Sequence, residues 1–270
     1  MEQNIRNYPP DVVIINNNEK EIIVIGTAHI SIQSANLVQK VIEDERPDCV
    51  CIELDAQRYK ALSEKNKWEA LDIKTVIREK QLTTLFVNII LSSYQKKLGE
   101  KLGVLPGTEM LNAINTAKNL GLDIALCDRE IRITIRRAWN SMSFWQKFKL
   151  FSSGFAGLFD DMELNEEKLQ ELREKDVLSE MIEELGKSLP VLKKVLLDER
   201  DIYLSKKIEA VNGKKIVAVV GAGHVKGICR ELEKKKEIDL KSLEQIPFTC
   251  PAPTTATIFF PFAASIFLLK

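Results

Sequence analysis

Ile216–Ile228 reads IVAVVGAGHVKGI, and this stretch decides how the rest of the chain is understood. An unbroken apolar run, Ile216–Val220, meets a glycine turn and then His224. The chain has two histidines, and the other sits in the same setting. Ile22–His29 reads IIVIGTAH, again an apolar run followed by G-x-x-H. A buried strand that ends in a glycine turn and delivers a polar side chain at its carboxyl edge is how open α/β sheets build sites. Two such units predict that the fold brings His29 and His224 together.

The flanking sequence fits that frame. Asp11–Asn18 reads as an edge strand running into Asn16-Asn17-Asn18, which is turn chemistry. After His29, Ser31 or Ser34 can cap a helix whose Leu37, Val38, Val41 and Ile42 share a face. Pro47 stops it, and Cys49–Leu54 (CVCIEL) is a second buried strand. Strand, helix and strand make a βαβ unit with parallel strands. Arg58–Leu91 looks helical and irregular. Thr108 is the expected N-cap of the next helix, and Gly121 suits the left-handed position past its end. Leu122–Cys127 is a third strand, followed by a helix over Ile131–Asn140.

Asn165–Leu197 is charged and amphipathic, with Pro190 interrupting it. Asp198–Asp201 is expected to open a further helix, closed by Asn212-Gly213. A last helix should follow His224 to about Lys236. The fold class expected is therefore α/β. It has a mainly parallel central sheet flanked by helices, with a helical insertion between two G-x-x-H half-units. The α/β domain would occupy residues 1–240, the insertion lying at about 140–200, and an apolar, proline-containing tail would occupy 241–270.

Composition sets the outer limits. The 270 residues include 39 Lys+Arg and 39 Asp+Glu, so the formal net charge is zero. That balance gives no electrostatic case for a nucleic-acid partner. The cysteines are odd in number, without Cys-x-x-Cys, and Cys49, Cys51 and Cys127 fall inside expected strands. They read as reduced, buried small hydrophobes, which suggests a reducing, cytoplasmic setting. Met1–Lys20 is polar, unlike a signal peptide.

Two apolar stretches point elsewhere. Met142–Phe159 is rich in aromatics and reads first as a core or interface helix, the latter making a homo-oligomer, with a lid or a membrane-surface segment as the alternatives. Ile246–Leu269 carries no charge, but four prolines interrupt it. It reads either as a loosely docked tail or as the beginning of a membrane segment. On the second reading the protein is membrane-associated with its folded domain in the cytoplasm.

The polar residues gathered at expected strand ends are His29, Glu53, Asp128, Arg129 and His224, with Glu109, Arg200 and Asp201 at expected helix starts. Two imidazoles and a carboxylate can hold a divalent metal with open positions, and nitrogen and oxygen ligands suit manganese, cobalt, zinc or iron. Such a metal acidifies a bound water and polarises a carbonyl. A spare carboxylate among Glu53, Asp128 and Glu109 can serve as general base, and Arg129 or Arg200 can stabilise an oxyanion. Structural ion pairs account equally for Asp128-Arg129 and Arg200-Asp201. Gly221-x-Gly223 does not complete the dinucleotide fingerprint, because Lys226 stands where the third glycine belongs. There is no Gly-x-Ser-x-Gly elbow.

Taken together, GTAHIS (Gly26–Ser31), CIELDAQR (Cys51–Arg58), PGTEM (Pro106–Met110), CDREIRITIRRAW (Cys127–Trp139), DERD (Asp198–Asp201) and VVGAGHVKGI (Val219–Ile228) resemble the TraB/PrgY family. That family is related to the Tiki proteins and, more distantly, to erythromycin esterase and ChaN-like proteins. The resemblance implies that the two G-x-x-H motifs supply His29 and His224 as metal ligands, and that Glu53 is the acidic residue after the second strand. Tiki-like members are described as divalent-metal proteases, and PrgY-like members shut down a secreted peptide pheromone. Family members often carry transmembrane segments after this domain. The resemblance thus implies a metal-dependent hydrolase acting on a peptide or protein. The alternatives are a membrane-associated regulator that sequesters a peptide signal, and a metal-free, esterase-like hydrolase.

Overall fold

A computed structural model describes residues 8–17, 19–27, 32–63, 107–147, 186–187, 189–234 and 238–247. Among these, five strands form one sheet: β1 (Val12–Asn17), β2 (Lys20–Thr27), β3 (Cys49–Ile52), β4 (Asp123–Leu126) and β5 (Lys215–Gly221). Their order is β1-β2-β5-β3-β4. β1 is the antiparallel edge strand, paired with β2 alone. The β2–β5, β5–β3 and β3–β4 pairs are all parallel. The expected mainly parallel α/β sheet is therefore present. The last strand in sequence lies at its centre.

The apolar runs explain the layering. Alternate residues of a strand face opposite sides of the sheet. Ile23, Ile25, Val50, Ile52, Val217 and Val219 build the core on one side. There they meet helix α1 (Ile32–Glu45) through Val38, Val41 and Ile42, and helix α3 (Thr108–Asn119) through Met110, Ala113, Ile114 and Ala117. Ile22, Val24, Ile216, Ala218 and Val220 point the other way, with Cys49, Cys51 and Cys127. They are covered by Leu204 and Ile208 of helix α6 (Glu199–Ala210) and by Ile228 and Leu232 of helix α7 (Ala222–Glu233). Both faces are covered, so the strands carry continuous apolar runs rather than alternating ones. The three cysteines are buried and unbridged, as expected.

Several boundaries depart from the sequence expectation. Helix α3 has no side-chain cap: Gly107 precedes it at φ 85°, and Thr108 is its first helical residue. The residue before the helix is a glycine, which has no side chain to offer, and Thr108 already stands inside the first turn, so Thr108 is not the N-cap. Gly121 does take the left-handed conformation at φ 68°, as expected. Residues 186–187 are helical, Leu189 is not, and Pro190 opens the next helix, where a missing N–H costs nothing in the first turn, so the helical stretch is interrupted at Pro190 as expected. Helix α5 (Pro190–Lys193) passes into a π turn (Lys194–Asp198) and on into α6 with helical backbone throughout. Asp198–Asp201 therefore lies inside a continuous helix and does not open one. His224 likewise sits in the first turn of α7, not in a turn before it.

Helix α2 (Ala56–Ser63), helix α4 (Ile131–Ser141) and a short helix α8 (Leu240–Glu244) complete the described elements. Most of the expected helix over Asn165–Leu197 (residues 165–185 and 188), most of Arg58–Leu91, the aromatics from Phe148 onward and the tail beyond Pro247 lie outside the described residues. Among the described residues no helix is long and apolar enough to cross a membrane.

Candidate functional site

The strand register brings one rim of the sheet together. Thr27 pairs with Gly221, and Ile52 lies between Val219 of β5 and Leu126 of β4. The carboxyl ends of β2, β5, β3 and β4 thus share an edge. The helix after β2 covers one face and the helix after β5 the other. Neighbouring parallel strands with helices on opposite faces leave a crevice at their carboxyl ends, the usual place for a ligand in such sheets.

His224 enters this crevice from the first turn of α7. Gly26 allows α7 to come this close to β2, since a Cβ there would lie 2.8 Å from Val225 Cγ2 and 3.3 Å from the Ala222 backbone. The ring is fixed from behind. Its Nδ1 lies 2.6 Å from Oδ1 of Asp201, on α6. With the shared proton on the imidazole, the lone pair of Nε2 faces forward. Forward of it, 3.6 Å away, is Oε1 of Glu53. His224, Asp201 and Glu53 are all buried.

Glu53 stands one residue beyond β3. Its Oε2 accepts a hydrogen bond of 2.7 Å from the Gly221 N–H, and its Oε1 accepts one from Arg200 Nη2. Arg200 also holds Asp128 with two bonds, from Nε at 3.2 Å and Nη2 at 2.7 Å. Asp128 receives Arg58 Nη2 as well, and its Oδ1 takes the Arg129 backbone N–H at 2.8 Å. Arg58 turns its Nε to Asp55, 2.8 Å away. Asp55 in turn caps α2 by accepting the N–H groups of Gln57 and Arg58. An unbroken chain of contacts therefore runs His224–Glu53–Arg200–Asp128–Arg58–Asp55.

The electrostatics of this chain are lopsided. Burial works against charge on Asp128, but Arg200 and Arg58 outweigh it and hold the carboxyl below its ordinary range. Burial also opposes the charge on Arg200, and Asp128 with Glu53 more than restores it. Burial pushes Asp201 upward despite His224. Among the described residues, four carboxylates (Glu53, Asp55, Asp128, Asp201) and two guanidiniums (Arg58, Arg200) surround one imidazole.

The sequence-predicted residues divide on this geometry. Glu53, Asp128, Arg200 and His224 come together. Arg129 does not join them. It is fully buried and its side chain is turned to Thr134, Glu199, Leu243 O and Val195 O. That sequestered position suits a structural ion, not a group meeting substrate. Glu109 is fully buried in the first turn of α3. His29 lies outside the described residues, two positions beyond Thr27. Arg58 went unassigned in the sequence. Asp55, like Glu53, stands at the end of the second strand and so belongs to the same rim. Asp201 was legible as an acid beside Arg200, but its pairing with His224 was not, because that partner lies 23 residues further along the chain.

Among the described residues no group of three or more His, Cys, Asp and Glu side chains is arranged around a common metal position. The pair His224 Nε2 and Glu53 Oε1 still suits a shared cation. Ligands about 2.0–2.2 Å from one ion sit roughly 3–3.5 Å apart. A cavity of about 470 Å³ lined by Asn16, Lys20, Glu21, Lys214 and Lys215 opens where the strands begin. It is at the opposite end of the sheet from His224.

Residues 12–241 match the TraB/PrgY/gumN family. An uncharacterised protein of Methanocaldococcus jannaschii is 37% identical across 85% of this chain and 58% of its own length, so the chain spans little more than half of that relative. TraB domain-containing proteins of mouse and human are 29% and 28% identical across 92% and 93% of this chain, and 71% of their own length.

Proposed function

The chain belongs to the TraB/PrgY/gumN family, and we propose that in this member the crevice around His224 is a divalent-metal-dependent hydrolase site acting on a peptide or protein. One observation carries the reading: Asp201 holds Nδ1 of His224 at 2.6 Å, so that Nε2 faces Glu53 at 3.6 Å. A carboxylate behind a histidine is how metal-binding imidazoles are oriented and made more basic.

His224 and Glu53 would hold the ion, with His29 as the third donor. The ion, when bound, supplies an acidified water and polarises the scissile carbonyl. The protein's own groups do the rest. Asp201 fixes the imidazole. Arg200 and the Gly221 N–H fix Glu53, and Arg200 draws Asp128 into the same frame. Arg200, 14% exposed at its side chain and paired directly with Glu53, is the group assigned to a developing oxyanion.

A second reading has its own support. Both oxygens of Glu53 already accept protein hydrogen bonds. Asp201 and His224 then form a carboxylate–imidazole base that needs no metal. Metal content and divalent-ion binding, measured for the wild type, His224→Ala, His29→Ala and Glu53→Gln, decide between the two. Stoichiometric metal lost in the three variants, with peptide hydrolysis abolished by chelation, is the expected result. Hydrolysis that survives chelation turns the assignment to the metal-free base. Peptide binding with no turnover turns it to a sequestering regulator. Association with a membrane is proposed from the charge-free stretch Ile246–Leu269 alone.

A further inference from the structure

The buried arginines that do not reach the site have a common occupation. Arg129 Nη1 donates to the Leu243 carbonyl at 2.8 Å. Arg137 Nη1 donates to Ser242 O at 3.1 Å and to Gln245 O. Tyr203 Oη donates to Glu244 at 2.8 Å, and Asn140 Nδ2 to Pro247 O at 3.1 Å. Arg129 and helices α4 and α6 thus hold the segment from Ser242 to Pro247, mostly by its backbone.

The same two guanidiniums grip Glu199. Its Oε2 receives Arg129 Nη1 at 2.9 Å and Arg137 Nε at 2.8 Å, and its Oε1 receives Arg137 Nη2 at 2.9 Å. Arg129 Nη2 reaches Val195 O, inside the π turn, at 3.2 Å. Glu199 is followed directly by Arg200 and Asp201. Successive residues of a helix point about 100° apart. Glu199 therefore faces α4 and the segment, Arg200 faces Glu53 and Asp128, and Asp201 faces His224. Turning the helix at Glu199 would move all three.

We propose that Asp239–Pro247 is a positioning strap. By completing the donor sets of Arg129 and Arg137 it holds Glu199, and so sets the register in which Arg200 meets Glu53 and Asp201 meets His224. This rests on the site lying at His224, as proposed above. The physical reason is satisfaction. Without the strap, two buried guanidiniums lose three carbonyl acceptors, and buried donors without partners are costly. They are relieved only by water entering or by the arginines swinging off Glu199. Arg129, Arg137 and Glu199 are thus positioning residues, acting through the helix and touching no substrate.

The test uses the full chain and its two histidines, whose imidazole signals are told apart by His29→Ala. Two variants loosen the strap and leave the site residues intact. Tyr203→Phe with Asn140→Ala removes two of its anchors. Leu243→Pro breaks its own helix. Hydrogen exchange of the strap amides should quicken about tenfold or more. The low-field Nδ1 proton of His224 should then broaden or move, with far-ultraviolet circular dichroism and cooperative unfolding retained. A strap that exchanges faster while the His224 signal stays unchanged overturns the proposal. Neither signal depends on turnover, so a domain without hydrolase activity would still decide it.

Discussion

Asp201 Oδ1 lies 2.6 Å from His224 Nδ1, and Gly227, one turn along α7 from the histidine, leaves the space for it. A Cβ at position 227 would sit 1.8 Å from Asp201 Oδ2 and 2.3 Å from its Cγ. The pair exists because two helices approach until a glycine meets a carboxylate.

The sign of Gly227→Ala therefore reports on this contact. In an exposed helix interior, glycine to alanine stabilises by about 1 kcal/mol. Here the methyl group displaces a buried carboxylate and overpacks the helix junction, which costs about 1–3 kcal/mol. Net destabilisation is expected in urea unfolding, together with loss of the low-field Nδ1 proton of His224. A more stable variant with that proton in place would mean the helices part easily and the pair is not packed as described.

Arg200 holds two buried carboxylates, so removing it should be severe. Arg200→Met leaves Glu53 and Asp128 without their shared cation, a loss of about 3–5 kcal/mol. Arg200→Lys should recover only part, because a point charge cannot reproduce the paired bonds to Asp128. Adding Asp128→Asn to Arg200→Met should return some of the stability. Chemical denaturation of the four proteins measures this. Equal stability of Arg200→Met and wild type would show the network to be solvated rather than buried.

How much of this was legible follows from the kind of signal. Ile216–Val220 and Ile22–Ile25 announced buried strands because a strand covered on both faces needs a continuous apolar run. Glu53 and Asp128 announced a rim because each stands just past such a run. The order of strands was not written locally. β5 lies between β2 and β3 because Ile216 pairs with both Ile22 and Cys49, and no property of those residues alone encodes it. The π turn at Lys194–Asp198 contains neither glycine nor proline, so nothing in KVLLD distinguishes it from ordinary helix. Arg129 and Arg200 looked alike in sequence, each beside an aspartate. Only packing separates a guanidinium sealed against the strap from one turned to the crevice.

Acid should loosen the domain through Glu199. Burial opposes its charge, but Arg137 and Arg129 outweigh that and hold the carboxyl below the ordinary value of 4.5. Asp128 is held below 3.8 by Arg200 and Arg58 against burial. A depressed folded-state pKa contributes stability that is complete above the unfolded value and is lost as pH falls through the folded one. Stability should therefore hold near neutrality and decline from about pH 4.5 downward. Glu199→Gln should be less stable at pH 7 and show a shallower decline. Urea midpoints between pH 7 and 3 check it, and parallel curves for the two proteins would rule Glu199 out as a source of the acid dependence.

Asp201→Asn separates the two chemical readings of the site. If His224 is a metal ligand, the asparagine still touches Nδ1 but no longer raises the basicity of the ring. Divalent-ion affinity should then fall about 10–100-fold. Excess metal should restore most of the rate, since the loss is one of occupancy. If His224 is instead a metal-free base, the carboxylate stabilises the imidazolium formed during turnover. Its loss should then appear in kcat, by roughly 10⁴ as in other carboxylate–histidine pairs, with no rescue by metal. Titrating the variant with manganese, cobalt and zinc while following peptide hydrolysis gives the answer. Rescue assigns the ion to His224 and Glu53. A depressed kcat indifferent to every ion assigns the proton transfer to His224 itself.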